Sequence, residues 1–574
     1  MNNSALRAYL STRAPDQIHS AFVAYLANLD LVAHQFPQIA SDIVQELIDQ
    51  RSYVKLIASE NYSSLAVQAA MANLLTDKYA EGFPHHRYYG GCQNVDSIES
   101  AAAAEACALF GAEHAYVQPH SGADANLVAF WAILSRQIEM PTLSSLGVTA
   151  ATHLSEEQWE VLRQKMGNQK LMGLDYFSGG HLTHGYRQNV SGRMFRVVSY
   201  AVDRDTGLLD YAAIEAQAKR ERPLILLAGY SAYPRSINFR IFREIADKVG
   251  AVLMADMAHF AGLVAGGVFT GDEDPVRWSH IVTSTTHKTL RGPRGAFILC
   301  KKEFAEAVDK GCPLVLGGPL PHVMAAKAVA FREARNAAFK TYAHAVRDNA
   351  RALADACIQQ GMQLQTGGTD NHLLLLDVRP FGLTGRQAER ALIDCGVTLN
   401  RNSLPFDPNG AWLTSGLRIG TPAVTSLGMG PEEMKRIARL IARVLGAATP
   451  VRTKTGALSK SAAEVPGEVR SSVCSEVREL LARFTLYPEL DEPFLRAHFT
   501  RRPAGQNTCR RRDLNPYGVT PTDFESVVSA SFTTSARAQP ITRGTKGTAV
   551  HVVFLREAPC LPLREPLFFS HEEF

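Results

Sequence analysis

The chain has 574 residues, 46% hydrophobic and 20% charged, the make-up of an ordinary soluble globular protein with material for more than one domain. No apolar run is long enough to span a bilayer, Met1–Leu10 lacks the core and cleavage site of a signal peptide, and nine scattered cysteines without a CxxC pair point to no metal site, no disulfide framework and a reducing cytoplasm. The net charge of +4 is local: from Arg496 onward ten Arg and one Lys face two Asp and five Glu, so residues 1–495 are formally neutral and hold no basic nucleic-acid groove.

Residues 1–36 read as mixed. Ile39–Ser52 has apolar residues at helical spacing, and Ala66–Leu75 repeats the pattern. Between them Leu56–Tyr62 sets Ser59, Glu60 and Asn61 among apolar neighbours. Lys78–Gly91 is aperiodic and rich in Tyr, Gly and Arg, the kind of loop that carries binding chemistry. Val95–Phe110 predicts a helix closed by Gly111, and Ala115–Gln118 a short strand. Then Ser121-Gly122 opens a helix through Leu134, an arrangement suited either to simple capping or to a phosphate. Residues 136–170 break the pattern and look inserted, with an exposed helix Glu156–Lys165 capped by Ser155. The glycines Gly179 and Gly180 bring backbone close to a ligand, with the flat ring of His181 beside them.

From Arg193 to Cys300 strands and helices alternate. Phe195–Tyr200, Leu224–Leu227, Ala251–Ala255 and Ala296–Cys300 read as strands, and Tyr211–Arg220 and Ile241–Val249 as helices. This rhythm predicts a mainly parallel sheet between helices, with ligands at the carboxyl ends of its strands. Ser231, Asp256, His259 and the run Thr285–Lys288 all fall there. Lys288 follows hydroxyl side chains and His287, and a lysine in such a place can trap a carbonyl once burial and nearby cations free its lone pair. Ala325–Ala356 is helix-rich. His372–Asp377 is a strand and Thr384–Leu392 a capped helix of a second, smaller α/β region.

The segments Leu56-Ile-Ala-Ser-Glu-Asn61, Lys78-Tyr-Ala-Glu-Gly82, Arg87-Tyr-Tyr-Gly-Gly91, Gln118-Pro-His-Ser-Gly122, Gly179-Gly-His-Leu-Thr-His-Gly185, Asp256-Met-Ala-His259, Thr285-Thr-His-Lys-Thr289 and Leu417-Arg-Ile-Gly-Thr-Pro422 appear in one order over roughly residues 37–495. Together they resemble serine hydroxymethyltransferase, a fold type I pyridoxal-phosphate family. The resemblance implies an α/β fold with a mainly parallel sheet in a large domain and a smaller C-terminal α/β domain. The expected layout is residues 1–60 as an N-terminal arm and dimerisation segment, 61–340 as the large cofactor-binding domain with 136–170 inserted, 341–493 as the small domain and 494–574 as a basic tail without regular structure.

The resemblance also implies reversible conversion of L-serine and glycine, with the one-carbon unit passed to tetrahydrofolate and an alanine racemase side activity. Pyridoxal phosphate would be bound covalently to Lys288, its ring nitrogen facing Asp256, its ring face His181, its phosphate Ser121, Gly122 and Gly318. Ser231 and His259 would lie by the ring oxygen, and Thr285 would help substrate replace the lysine. Arg418 and Ser59 would hold the substrate carboxylate, and Glu81 would serve as acid and base. Tyr79, Tyr89 and the Gly317-Gly318 turn resemble groups supplied by a second subunit, which implies a homodimer. The pterin would lie by Tyr88, Gly180, Leu182 and Asn402. The chain departs from the family pattern at Leu316, where a glutamine is usual, near Gly410-Ala-Trp412, and at Tyr176-Phe177-Ser178. The first removes a polar contact near the cofactor phosphate, while the differing folate-side loops imply altered folate affinity. Two further readings are a related enzyme of changed specificity, such as a threonine aldolase or alanine racemase, and a non-catalytic scaffold binding RNA through its tail. Intact Lys288, Asp256, Glu81 and Arg418 weigh against the scaffold.

Overall fold

The structure is a computed structural model that describes residues 4–453 and 456–500. The chain begins with three helices, α1 Ala5–Thr12, α2 Ser20–Gln35 and α3 Pro37–Ser52. Residues 1–36, read as mixed, are therefore largely helical from Ala5 on. Phe22, Leu26 and Leu29 recur at helical spacing, and all three are buried against Tyr9, Val44 and Leu47. The helix expected over Ala66–Leu75 ends at Ala69. The Asn73 side chain accepts from the Leu75 N–H and starts a separate tight turn, Leu74–Asp77.

Helix α4, Gln93–Phe110, ends at Gly111 with φ +65°. Strand β1, His114–Tyr116, leads into α5, Gly122–Leu134, capped by Ser121. Residues 136–170 stay helical in pieces, and Glu156–Gly167 carries a reciprocal capping pair, Ser155 and Gln158. Then come β2 Lys170–Leu174, β3 Arg196–Tyr200, β4 Ile225–Gly229, β5 Val252–Asp256, β6 Ile281–Thr285 and β7 Ala296–Cys300. They form one seven-stranded sheet in the order β1-β7-β6-β5-β4-β2-β3. Six strands point the same way, five of them paired in parallel, while β7 is antiparallel to both β6 and β1. Every residue of β4 to β7 is buried, because both faces are covered. Leu226, Leu253 and Phe297 enter one core, and Ile225, Val252 and Ile298 the opposite one.

Helices α6 Pro321–Ala334 and α7 Ala337–Gln359 follow. A second sheet is made of β8 Gln363–Leu364, β9 Leu373–Asp377, β10 Asn400–Asn402 and β11 Gly416–Gly420, in the order β8-β9-β11-β10, all antiparallel. Its core joins Leu374, Leu376, Leu417 and Ile419 to Ile437 and Ile441 of α8, Pro431–Ala447. Val54–Lys55 pairs in parallel with Val397–Thr398, and the Gly420 N–H donates to the Leu56 carbonyl at 2.8 Å. The segment bearing Ser59 is thereby laid along β11, which bears Arg418.

The tail expected over residues 494–574 does not begin at 494. Helix α9, Glu492–Phe499, is capped by Asp491, and its Leu495 is fully buried among the N-terminal helices. The remainder of that tail, residues 501–574, lies outside the described residues. Among the described residues no helix is long and apolar enough to cross a membrane. Truncating fully buried Phe22 to Ala should lower stability by about 3–5 kcal/mol, measured as a fall in denaturant midpoint at unchanged slope.

Candidate active site

Four strands of the parallel set deliver a polar group at the carboxyl end: β2 toward His181, β4 toward Ser231, β5 Asp256 and His259, β6 Lys288. Helix α5, which follows β1, starts at Ser121. Between the two sheets a cavity of about 440 Å³ opens, walled in part by His181, Ser231, His259, Lys288 and Arg418. Ser59, Gly180, Leu182 and Asn402 also line it. Four cations line it, Lys288, Arg294, Arg401 and Arg418, of which Arg401 pairs with Glu389 at 2.6 Å, while Glu60 at its wall pairs with Lys55 at 3.0 Å. The cavity therefore suits an anionic ligand.

Asp256 sits beneath this cavity, 7% exposed. Its Oδ2 accepts from Asn126 Nδ2 at 2.9 Å and meets His184 Nε2 at 3.1 Å, and its Oδ1 accepts from the Ala258 N–H at 3.1 Å. Burial alone would raise its carboxyl, but the His184 contact, the two imidazoles and the Asn126 bond more than offset this and hold it well below the carboxylate range. Asp256 thus stays ionised without water. Burial brings the Lys288 amine down from 10.5 to about 8, against the pull of Asp256 and aided by Arg418 and Arg294. Its carbonyl accepts from Asn61 Nδ2 at 2.9 Å, which fixes the backbone of the turn.

Burial also brings His181 down to about 4, so its ring is neutral near pH 7. Its Nδ1 accepts from the Thr183 N–H at 3.2 Å and lies 2.7 Å from the Thr183 hydroxyl, which fixes the ring plane. Two residues earlier, Gly179 has φ +103° and lies against the backbone of the segment after β4, where a Cβ would meet the Ala232 carbonyl carbon at 2.7 Å. His259 lies 3.3 Å from His372 Nε2 by its Nδ1, with the rings stacked. Arg418, brought down to about 10 by burial, donates to the Ser231 carbonyl at 2.7 Å and to Asn400 Oδ1 at 3.2 Å. Its remaining N–H groups can take a carboxylate.

Other predicted residues lie outside this wall. Ser121, Gly122 and Thr285 sit just behind it: a Cβ on Gly122 would lie 2.9 Å from Thr285 Cγ2, and Thr285 Oγ1 donates to the Ala258 carbonyl. Tyr79, Tyr88 and Tyr89 form a separate exposed surface with half-buried Glu81 among them. There Tyr89 donates to Glu81 Oε2 at 3.1 Å, the Tyr79 and Tyr89 rings meet edge to face, and Tyr79 lies against Gly318. Leu316 is buried in the apolar core, so packing replaces the polar contact of a glutamine. Trp412 is exposed and flanked by Arg386 and Arg401. Sequence reasoning passed over Asn126, His184 and His372. The first two stand inside the quoted or adjacent motifs, which was the available signal, but their convergence on Asp256 is a tertiary fact.

Lys288, His181 and Arg418 thus face one cavity, with buried Asp256 beneath it and the N-terminus of α5 outside its wall. The serine hydroxymethyltransferase family model matches residues 32–161 and 155–441. The chain belongs to the serine hydroxymethyltransferase family. It is 57% identical over 475 residues to the serine hydroxymethyltransferase of Mycolicibacterium smegmatis, covering 83% of this chain and 96% of that protein. To the proteins of the same name in Cutibacterium acnes and Chlamydia muridarum it is 56% and 52% identical, over 82% of this chain and 96% and 95% of theirs. The family comprises fold type I pyridoxal-phosphate enzymes, and it interconverts serine and glycine with tetrahydrofolate.

Because the Lys288 amine is freed near pH 8, capture of pyridoxal phosphate by the cofactor-free protein should accelerate as pH rises through about 8 rather than through 10.5. Stopped-flow absorbance measures this, and a rate flat from pH 7 to 9 would contradict it. The sign for stability follows the same shift. The unfolded chain binds the extra proton between about 8 and 10.5, so the cost of burying Lys288 is largest below about pH 8 and falls as pH rises through that window.

Proposed function

We propose that this chain carries out the family's serine–glycine reaction with pyridoxal phosphate attached to Lys288 and with each active site completed by a second copy of the chain. The observation that carries this reading is the convergence of Lys288, His181 and Arg418 on one cavity above ionised Asp256. The residues fit the cofactor: Lys288 offers an amine, Asp256 an anion for the ring nitrogen, His181 a face, and Ser121 with the Gly122 N–H at the start of α5 donors for the phosphate, where a Cβ on Gly122 would press on Thr285. Ser231 and His259 stand for the ring oxygen. When bound, the cofactor supplies an electron sink for the negative charge that develops at the substrate Cα as its bond to Cβ breaks.

The chain's own groups do the rest. Arg418, with Ser59 beside it, binds the substrate carboxylate. That grip fixes rotation about the Cα–N bond and so selects the bond aligned with the ring. Asp256 keeps the ring nitrogen protonated by remaining charged. Neutral His181 covers the ring and excludes water from that face. Thr285 steadies the lysine turn from behind. Gly180, Leu182 and Asn402 offer the pterin a wall on the same cavity.

Glu81 moves the proton at the serine hydroxyl or the folate nitrogen, yet it lies with Tyr79, Tyr88, Tyr89 and Gly318 on a surface of its own. Two copies related by a two-fold would each lend that surface to the other's cavity, which supports a homodimer. Buried free thiols at Cys92, Cys300, Cys312 and Cys357 suit a reducing cytoplasm.

Lys288→Ala should abolish turnover, assayed as formation of glycine from serine with tetrahydrofolate. Glu81→Gln should retain the visible absorbance of bound cofactor and lose roughly 100-fold or more in folate-dependent transfer. Normal transfer by Glu81→Gln would remove its acid–base role. With glycine bound, the wild-type protein should also change its visible absorbance on adding tetrahydrofolate, and no change would count against folate as co-substrate.

A further inference from the structure

The loop bearing Glu81 and the turn bearing Ser121 are joined inside the chain by a buried polar relay. Arg87 donates from Nη1 to the Ala80 and Gly82 carbonyls, both at 3.0 Å, so a single guanidinium grips the peptide groups on either side of Glu81. The same guanidinium bonds Glu99 Oε2 at 2.6 Å and Asp96 Oδ1 at 2.8 Å, with the Arg87 and Glu99 side chains each 4% exposed. Glu99 Oε1 in turn accepts from Gln118 Nε2 at 2.8 Å, and Gln118 Nε2 also donates to the Gly82 carbonyl at 2.8 Å. At the far end fully buried Lys327 donates to the carbonyls on either side of Gln118, Val117 at 2.5 Å and Pro119 at 3.0 Å, and to that of Ala296 at 2.8 Å. Ala296 pairs with Thr285, three residues before Lys288.

The chemistry of this relay is costly to bury and is fully paired. Lys327 uses three N–H donors on three carbonyls, and Arg87 meets two carboxylates and two carbonyls. None of these four groups lines the Lys288 cavity. Their common effect is to set the height of one loop against one turn. A neutral apolar filling would pack the same space without fixing that register.

We propose that Glu99 is a positioning residue: through Arg87 and Gln118 it sets the Glu81 loop that a subunit lends to its partner against the Ser121 turn and Lys288 strand that the subunit keeps. This rests on the reading that active sites are shared between two copies. The relay would then make the lent and retained halves of one chain move as one body, so that the position of Glu81 in one site depends on the frame of the other.

The test uses full-length holoenzyme with Glu99→Gln, and Gln118→Met as a second variant that leaves the Arg87–Glu99 ion pair intact. Glu99→Gln puts an amide donor against the Gln118 donor, so one arm of the relay must open. Each homodimer should keep its bound-cofactor absorbance and lose about tenfold or more in folate-dependent kcat/KM. The deciding measurement is a hybrid dimer, purified with two tags, of the Glu99→Gln chain with a Lys288→Ala chain. Its one competent site combines the variant's Lys288 with an unaltered lent loop, and it should recover about half the wild-type activity per dimer. A hybrid as impaired as the Glu99→Gln homodimer would overturn the proposal, since Glu99 would then serve only its own cavity, and an unimpaired Glu99→Gln homodimer would overturn it as well. Should Glu99→Gln fail to fold, the same outcomes are read from Gln118→Met. A hybrid of Lys288→Ala with Glu81→Gln is the control. If it stays inactive, shared sites are wrong and the proposal falls with them. If it recovers while the Glu99→Gln hybrid does not, only the proposal falls.

Discussion

An ionised carboxylate without solvent is the constraint on which the site depends. Asp256 lies at the end of a strand buried on both faces, where an unpaired charge would protonate. Three bonds hold it charged, from Asn126, His184 and the Ala258 N–H. Those partners come from α5, from the turn after β2 and from the loop after β5, so the charge is stable only when the sheet and its crossover helices are assembled. The field it creates then supports a cation nearby, and Lys288 is brought down to about 8 by burial rather than displaced from the interior. The lysine's reactivity is in this sense a property of the whole sheet.

The two sheets divide the labour. The parallel one supplies groups for a cofactor at strand ends, and the antiparallel one presents Arg418 from β11 across the cavity. Segment 54–60 bridges them, pairing with Val397–Thr398 and bonding Gly420. Ser59 is thereby fixed relative to Arg418 by backbone pairing, which is stiffer than any side-chain contact.

Much of this was legible in the chain. Strand-end placement of Ser231, Asp256, His259 and Lys288 followed from the alternation of strands and helices, and the short motifs located His181 and Arg418. Asn126 was not legible, because it stands in sequence as an ordinary residue of a capped helix and meets Asp256 130 positions away. His372 began a strand with nothing to mark the imidazole of His259 beside it. The helices before residue 36 were passed over despite Phe22, Leu26 and Leu29 at helical spacing, since short amphipathic pieces gain their stability from the layer they join. Helix α9 was missed for the same reason: its burial depends on Tyr9 and Phe22 at the other end of the chain. The separation of Glu81 from Lys288 is a fact of surfaces, and no periodicity encodes it.

A clasp joins the two ends of the described chain. Arg51 donates to the carbonyls of Leu486, Tyr487 and Leu490 and pairs with Glu492, and Arg13 pairs with Asp491. Arg51 and Leu486 are 435 positions apart, so the clasp closes almost the whole described chain into a ring without a covalent link. Loop-closure entropy grows only logarithmically with length, so a ring this large costs little more than one a quarter its size. The N-terminal arm is in this way held to the segment 486–492 by side chain and backbone together, so loss of either partner loosens both.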